Sequence, residues 1–208
     1  MLEGTALTAA LEAIDPAAFN GPVFRCVSLC ALLGLKNDPS GNPVITRDPD
    51  FLYAGGPIKG GGRFTPKGGT PSLYTGETEH TAKVEKRQGA AFHTVRRKPG
   101  IEVTYSLEAT LSAVLDLTDR DVVGKLETSR SEIIEPWRFR TDGKVPPTHV
   151  LGSAVVANKR FGAIRYPSAA NPRGRCIVIF IELLNPGEAV VLVDEDSIFH
   201  QIMSIPGR

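Results

Sequence analysis

Cysteine is scarce in this chain: Cys26, Cys30 and Cys176 are the three among 208 residues. An odd and sparse set excludes a disulfide scaffold and fits a reducing compartment, and a chain of this length buries enough surface to fold without staples. Excess charge is missing too. With 24 Lys+Arg against 23 Asp+Glu, the formal net charge of +1 gives duplex DNA or an anionic membrane no electrostatic claim as the main partner. Long hydrophobic runs are also absent. The longest apolar-rich stretch, Cys176 to Leu184, is interrupted by Glu182 and is only strand-length, and the opening residues MLEGTALTAALEAIDP lack a basic n-region. Neither a signal peptide nor a membrane span is expected, so the chain reads as cytoplasmic.

The common chemical motifs are wanting as well. Gly55 and Gly60 have phosphate-loop spacing, but Gly61-Gly62 stands where Lys-Ser/Thr is required, which disfavours a nucleoside triphosphatase. No strand-GxGxxG-helix unit is present to support a dinucleotide fold of the doubly wound kind. Cys26 and Cys30 have no second pair, His80, His93, His149 and His200 are scattered, and there is no HExxH. No metal is expected: zinc needs about four well-spaced ligands, and the thiols read as buried and the histidines as surface residues. No serine sits in GxSxG, so a hydrolase elbow is lacking.

What is present is a mixture of helix and strand patterns. Leu7, Leu11 and Ile14 recur at i, i+4, i+7 behind Thr5, which predicts a short amphipathic helix ending before Pro16. Phe24 to Val27 reads as a strand, Asn37 to Gly69 as a long irregular loop, and Ser72 to Thr75 as a strand leading into a helix over Glu77 to Arg87, closed by Gly89. Ile101, Val103, Tyr105 and Leu107 alternate as in a half-buried strand. Thr118 and Asp121 resemble a capping box for a helix through Leu126, and Pro147 opens another through Asn158. Strands are expected at Gly162 to Tyr166, Cys176 to Leu184 and Ala189 to Val193. Without regular βαβ alternation, the class is α+β, in a single domain.

Charge is uneven along this pattern. Between Lys59 and Gly100 nine basic residues face three acidic ones, a net +6, and the remainder carries −5. Such a cluster is either a solvated face or a site for a small anion such as a phosphate or a dinucleotide. The same stretch holds GGRF (Gly61 to Phe64) and LYTGETEHTAKVE (Leu73 to Glu85), and FGAIRYPSA (Phe161 to Ala169) follows much later.

These segments, in this order, resemble the RES-domain proteins, a family named for an Arg, a Glu and a Ser. The matching residues are Arg63 in GGRFTPKG, Tyr74 in LYT, Ala82 with Glu85, and Ser168 in YPSA, with PPTHVLGSAVVANKRFGAI before the serine and IVIF after it. The resemblance implies a compact α+β fold related to the ADP-ribosyltransferase toxins. It divides the chain into an N-terminal helical extension, 1–22, and an NAD+-binding catalytic domain, 23–208. It implies the toxin of a bacterial toxin–antitoxin pair that breaks the nicotinamide–ribose bond of NAD+ and passes ADP-ribose to phosphate or water. Two other readings stand beside it: an ADP-ribosyltransferase acting on one bacterial protein, such as a nucleotide-metabolism enzyme, and a non-catalytic nucleotide- or partner-binding module. NAD+ is then a substrate, and the implied partner is a cognate antitoxin with a helix-turn-helix domain.

The chemistry of that reaction gives each residue a task. Departure of nicotinamide leaves an oxocarbenium-like ribose, which calls for a nearby anion and a fixed diphosphate. Glu85 is the natural anion, although on its own it reads as a solvent-facing helix residue beside Lys83, Lys86 and Arg87. Arg63 can hold phosphate oxygens bidentately, aided by backbone N–H groups of the surrounding glycines, or be a solvated loop arginine. Tyr74, and more weakly Tyr53, can stack on a base or simply fill the core. Ser168 can donate to the ribose or the carboxamide, or only form a turn after Pro167. No motif supplies it with a base, so it is not expected to be a nucleophile.

Overall fold

The computed structural model describes residues 1–46, 48–91, 100–138, 143–195 and 202–204. In chain order the elements are α1 (Gly4–Glu12), β1 (Ala17–Ser28), α2 (Leu29–Leu33), β2 (Lys36–Asn37), β3 (Pro43–Val44), α3 (Gly56–Gly60), β4 (Ser72–Gly76) and α4 (Glu79–Ala91). There follow β5 (Glu102–Asp116), α5 (Arg120–Lys125), α6 (Arg130–Ile134), α7 (Pro147–Asn158), β6 (Ala163–Pro167), β7 (Arg175–Phe180), β8 (Ala189–Leu192) and β9 (Ile202–Ser204). The class is α+β, as the sequence implies. Among the described residues no helix is long and apolar enough to cross a membrane.

Strand β7 explains the arrangement. Its Cys176, Val178 and Phe180 join one apolar cluster and its Ile177 and Ile179 the other, so both faces are buried and the run RCIVIF shows no alternation. The main sheet has the order β1-β4-β7-β6-β5-β8-β9, and β1 pairs again with β5, which closes β1, β4, β7, β6 and β5 into a ring. The β5–β6 pair is parallel and the other pairs of the sheet are antiparallel. One cluster is covered by α1 and α7, the other by the chain around Phe51 and Leu52.

Several elements differ from their sequence expectation for identifiable reasons. The N-terminal helix buries Leu7 and Leu11, and Ile14 beyond it is equally buried, as its period requires, but its cap is Glu3 rather than Thr5. Strand β1 extends through Asn20-Gly21-Pro22; there only β5 lies beside it, so the missing N–H of Pro22 interrupts no second ladder. The expected division at residue 22 falls inside this strand, and residues 1–22 supply Leu7, Leu11 and Ile14 to the core. The stretch Asn37 to Gly69 is broken by the β2–β3 hairpin and by α3. Helix α4 runs through Gly89 to Ala91 instead of closing at the glycine. Helix α5 is capped by the Asp119 carboxylate, which accepts from the Asp121 N–H, whereas Thr118 donates back to Asp116.

The largest departure is the length of β5. Ala17 faces Val114 while Phe19 faces Leu111, so the ladder slips by one residue and β5 bulges at Ser112 and Ala113. Leu107, Ala109 and Leu111 serve one cluster before the bulge, and Leu115 serves the other beyond it. The freed backbone N–H groups of Ser112 and Ala113 both donate to the Glu188 carboxylate, at 2.5 and 2.9 Å. The Ser112 hydroxyl adds a third bond to the same oxygen.

Candidate functional site

Helix α4 and the turn after β6 build the anionic end of the site. Thr81 and Glu85 are four residues apart, so they share one face of α4. The Asn171 side-chain amide donates to the Thr81 hydroxyl at 3.0 Å, and the Ser168 hydroxyl donates to Glu85 Oε1 at 2.5 Å. Backbone N–H groups of Ala169 and Ala170 donate to the same oxygen at 2.8 and 3.2 Å. Ser168 Oγ in turn accepts from the N–H groups of Ala170 and Asn171 at 3.2 and 2.9 Å. Pro167 and the turn residues thus shape a cup of donors for one carboxylate oxygen. Among the described residues no donor reaches Glu85 Oε2.

The Gly61 to Thr65 loop forms the opposite wall. Arg63 is 9% exposed, and its Nη1 donates to the carbonyls of Ile133 and Glu135 at the end of α6, at 2.8 and 2.9 Å. Among the described residues no carboxylate pairs with it. The Tyr74 hydroxyl accepts from the Phe64 N–H and shares a hydrogen bond with Thr65 Oγ1, both at 2.9 Å. Its ring lies directly on Gly62, where a Cβ would come within 2.4 Å of the hydroxyl oxygen. Glycine at 62 is therefore required by the tyrosine, and the tyrosine fixes the loop that carries Arg63.

These two walls enclose a cavity of about 480 Å³, lined by Arg63, Tyr74, Glu85, Trp137, Arg138 and Tyr166 among others. Tyr166 and Cys176 in its lining are buried. Burial pushes the Tyr74 hydroxyl up to about 12, and raises Tyr166 and the Cys176 thiol well above their ordinary values, with the Glu85 charge adding to the last two. A carboxylate and a guanidinium facing one low-dielectric space can stabilise separate cationic and anionic parts of one ligand.

Arg63, Tyr74 and Glu85 are thus brought to one cavity, with the buried Ser168 behind Glu85 as its hydrogen-bond donor. Tyr53 is not among the lining residues: its ring packs over Gly55, and its carbonyl accepts from Arg25 at 2.9 Å. Arg165, another basic residue near the motifs, is bound by Glu77 and Asp116, and the Glu77 hydrogen bond above all raises its pKa. Cys26 is half-buried rather than buried, near the end of the β1–β5 pairing, and Cys30 is exposed on α2. His149 is not a surface residue. It is half-buried on α7, its Nε2 lies 2.8 Å from the Gly62 carbonyl, and burial lowers its pKa. Trp137 and Arg138 line the cavity without having been singled out, since a lone Trp-Arg pair in a non-periodic segment carries no pattern; the single tryptophan of the chain was the available signal.

An Arg on a Gly-rich loop and a Glu on a helix thus line one cavity, with a Ser of a post-strand turn hydrogen-bonded to the Glu. The sequence matches the RES domain over residues 44–200, and the chain belongs to that family. Its fold is similar to that of a chain in the crystal structure of the M. tuberculosis MbcT-MbcA toxin–antitoxin complex, with a TM-score of 0.65 and 17% identity, covering 97% of this chain and 93% of that one. No curated protein matches by sequence.

Proposed function

We propose that the cavity binds NAD+ and that the chain, as the toxin of a toxin–antitoxin pair, breaks the nicotinamide–ribose bond in the cytoplasm and transfers ADP-ribose to phosphate or water. The observation that carries this reading is the Glu85 carboxylate: one oxygen is saturated by Ser168, Ala169 and Ala170, and the other has no donor among the described residues, in a cavity shared with buried Arg63. In NAD+ the nicotinamide nitrogen is cationic, so the bond pair from C1′ leaves with a neutral base and no acid is needed. The ribose takes the positive charge. Glu85 supplies the fixed anion that favours that charge, and the remaining guanidinium N–H groups of Arg63 hold the diphosphate, whereas the N–H groups of Gly61 and Gly62, expected to help, are spent on the carbonyls of Pro57 and Thr65. Ser168 acts through Glu85 by orienting it. Membership of the RES family and the fold shared with a toxin–antitoxin complex support a protein antitoxin as partner.

A second reading, transfer of ADP-ribose to one bacterial protein, draws support from the β2–β3 hairpin, where Val44 and Ile45 are 43% and 60% exposed on a segment outside the catalytic motifs. One experiment separates the two. Purified protein is incubated with NAD+, with and without phosphate and with bacterial lysate, and the products are resolved. Phosphorylated or free ADP-ribose is expected, and Glu85→Gln should form neither. Label confined to a lysate protein selects the second reading, and intact NAD+ throughout overturns both.

A further inference from the structure

We infer that Arg138, laid against the indole of Trp137, is a second phosphate-binding arginine that completes with Arg63 a clamp on the dinucleotide diphosphate. The inference rests on the NAD+ reading above and deepens it. Arg138 lines the same cavity as Arg63 and Glu85, on the wall formed by the residues after α6. Arg63 already spends Nη1 on the carbonyls of Ile133 and Glu135. Its remaining N–H groups are fewer than two phosphates and their bridging oxygen can accept, so a lone Arg63 is a half-filled anion site.

The geometry around Trp137 shows that Arg138 is placed rather than merely nearby. Its guanidinium carbon stands 4.5 Å from the indole centroid, within cation–π range. The indole is fixed on its other contacts. Gly61, at φ +71°, brings its backbone so close that a Cβ would lie 3.2 Å from the ring, and the His149 ring is tilted against it at 5.2 Å. His149 Nε2 reaches the Gly62 carbonyl, so the loop holding Arg63 and the platform holding Arg138 are one packed unit. Both arginines line the one cavity, and burial first, then the charge of Arg63, lowers the pKa of Arg138. Arg138 is the binding group, and Trp137 and His149 position it.

The test measures ADP-ribose and adenosine binding by titration calorimetry, and NAD+ turnover, for the full chain and its Arg138→Ala, Arg138→Lys, Trp137→Ala and Trp137→Phe variants. Arg138→Ala should weaken ADP-ribose binding and raise KM about 10- to 100-fold, the weight of a lost charge-assisted contact, with kcat changed less than about threefold. Adenosine, which has no phosphate, should bind the variant as it binds the wild type. Trp137→Ala should raise KM in the same direction, and Trp137→Phe should recover most of that loss by restoring a ring under Arg138. ADP-ribose binding by Arg138→Ala equal to wild type overturns the inference, as does an equal loss for adenosine. A wild-type protein that neither binds ADP-ribose nor consumes NAD+ instead overturns the NAD+ reading itself.

Discussion

Gly152 of α7 lies against the carbonyl oxygen of Phe64 so closely that a Cβ at 152 would stand 1.8 Å from it. Helix α7 therefore rests on the backbone of the loop that holds Arg63, and the glycine in HVLGSAVV is the reason that loop and helix can touch. A glycine inside a helix ordinarily sacrifices about 1 kcal/mol relative to alanine. Here the sign reverses, because the obstacle is main chain that cannot rotate away.

Gly152→Ala is accordingly expected to destabilise the protein by about 3 kcal/mol or more, despite alanine's better helix propensity. Urea denaturation measures it. NAD+ turnover should fall with stability, since displacing Phe64 moves Arg63. A stabilised Gly152→Ala variant would show that the loop shifts without strain and that the contact is not structural.

Ser168→Ala separates orientation from chemistry. The substitution removes one of the three donors on Glu85 Oε1 and leaves the Asn171 N–H without its acceptor. A stability loss of about 1–3 kcal/mol follows from the orphaned group. Turnover should fall about 10- to 100-fold through misplacement of Glu85, short of the loss caused by Glu85→Gln. If Ser168→Ala, properly folded, is as inactive as Glu85→Gln, Ser168 takes part in the reaction directly.

Tyr74 makes stability depend on alkaline pH. Burial raises its hydroxyl from the ordinary 10.0 to about 12 in the folded chain. The folded state thus holds its proton where the unfolded chain loses it. Its contribution is intact below about pH 10, declines at about 1.4 kcal/mol per pH unit above it, and is gone once the pH passes about 12. Tyr166 and Cys176 are raised for the same first reason and add to the slope. Tyr74→Phe should remove one group's share of that slope in denaturation curves taken across this range. It should also lower neutral-pH stability by about 1–3 kcal/mol, because the Phe64 N–H loses its acceptor. An unchanged slope would mean that Tyr74 ionises freely in the folded protein.

The sequence was legible where burial repeats with a fixed period or where a motif is contiguous. Leu7, Leu11 and Ile14 marked α1, and Val103, Tyr105 and Leu107 marked the first half of β5. The second half was hidden because the bulge at Ser112 and Ala113 inverts the alternation, and α6, at five residues, is too short to show a period. GGRF, LYT and YPSA could be read as words, but their joining could not: Glu85 looks like its charged neighbours until Ser168, 83 positions away, is seen to donate to it. Trp137 and His149 act through contacts with the Gly61–Gly62 backbone, and contacts of that kind leave no trace in residue type. Tyr53 had the same residue type as Tyr74 but not its register, which in β4 is set by pairing with Val178 of β7.

The bulge itself gives the last prediction. Glu188 is 2% exposed and receives the N–H groups of Ser112 and Ala113 and the Ser112 hydroxyl on Oε1, and the Asn185 N–H at 2.6 Å on Oε2. Every one of these partners is a donor, so an acceptor-only side chain is required. Glu188→Gln places an amide NH2 against a donor and halves the accepting oxygens, which should lower stability by about 3 kcal/mol. The effect should be confined to folding, because none of these groups lines the cavity: kcat per folded molecule should equal that of the wild type. A variant with unchanged stability would show that the bulge finds other acceptors. One that folds normally yet loses NAD+ turnover would tie the register of β5 to the site.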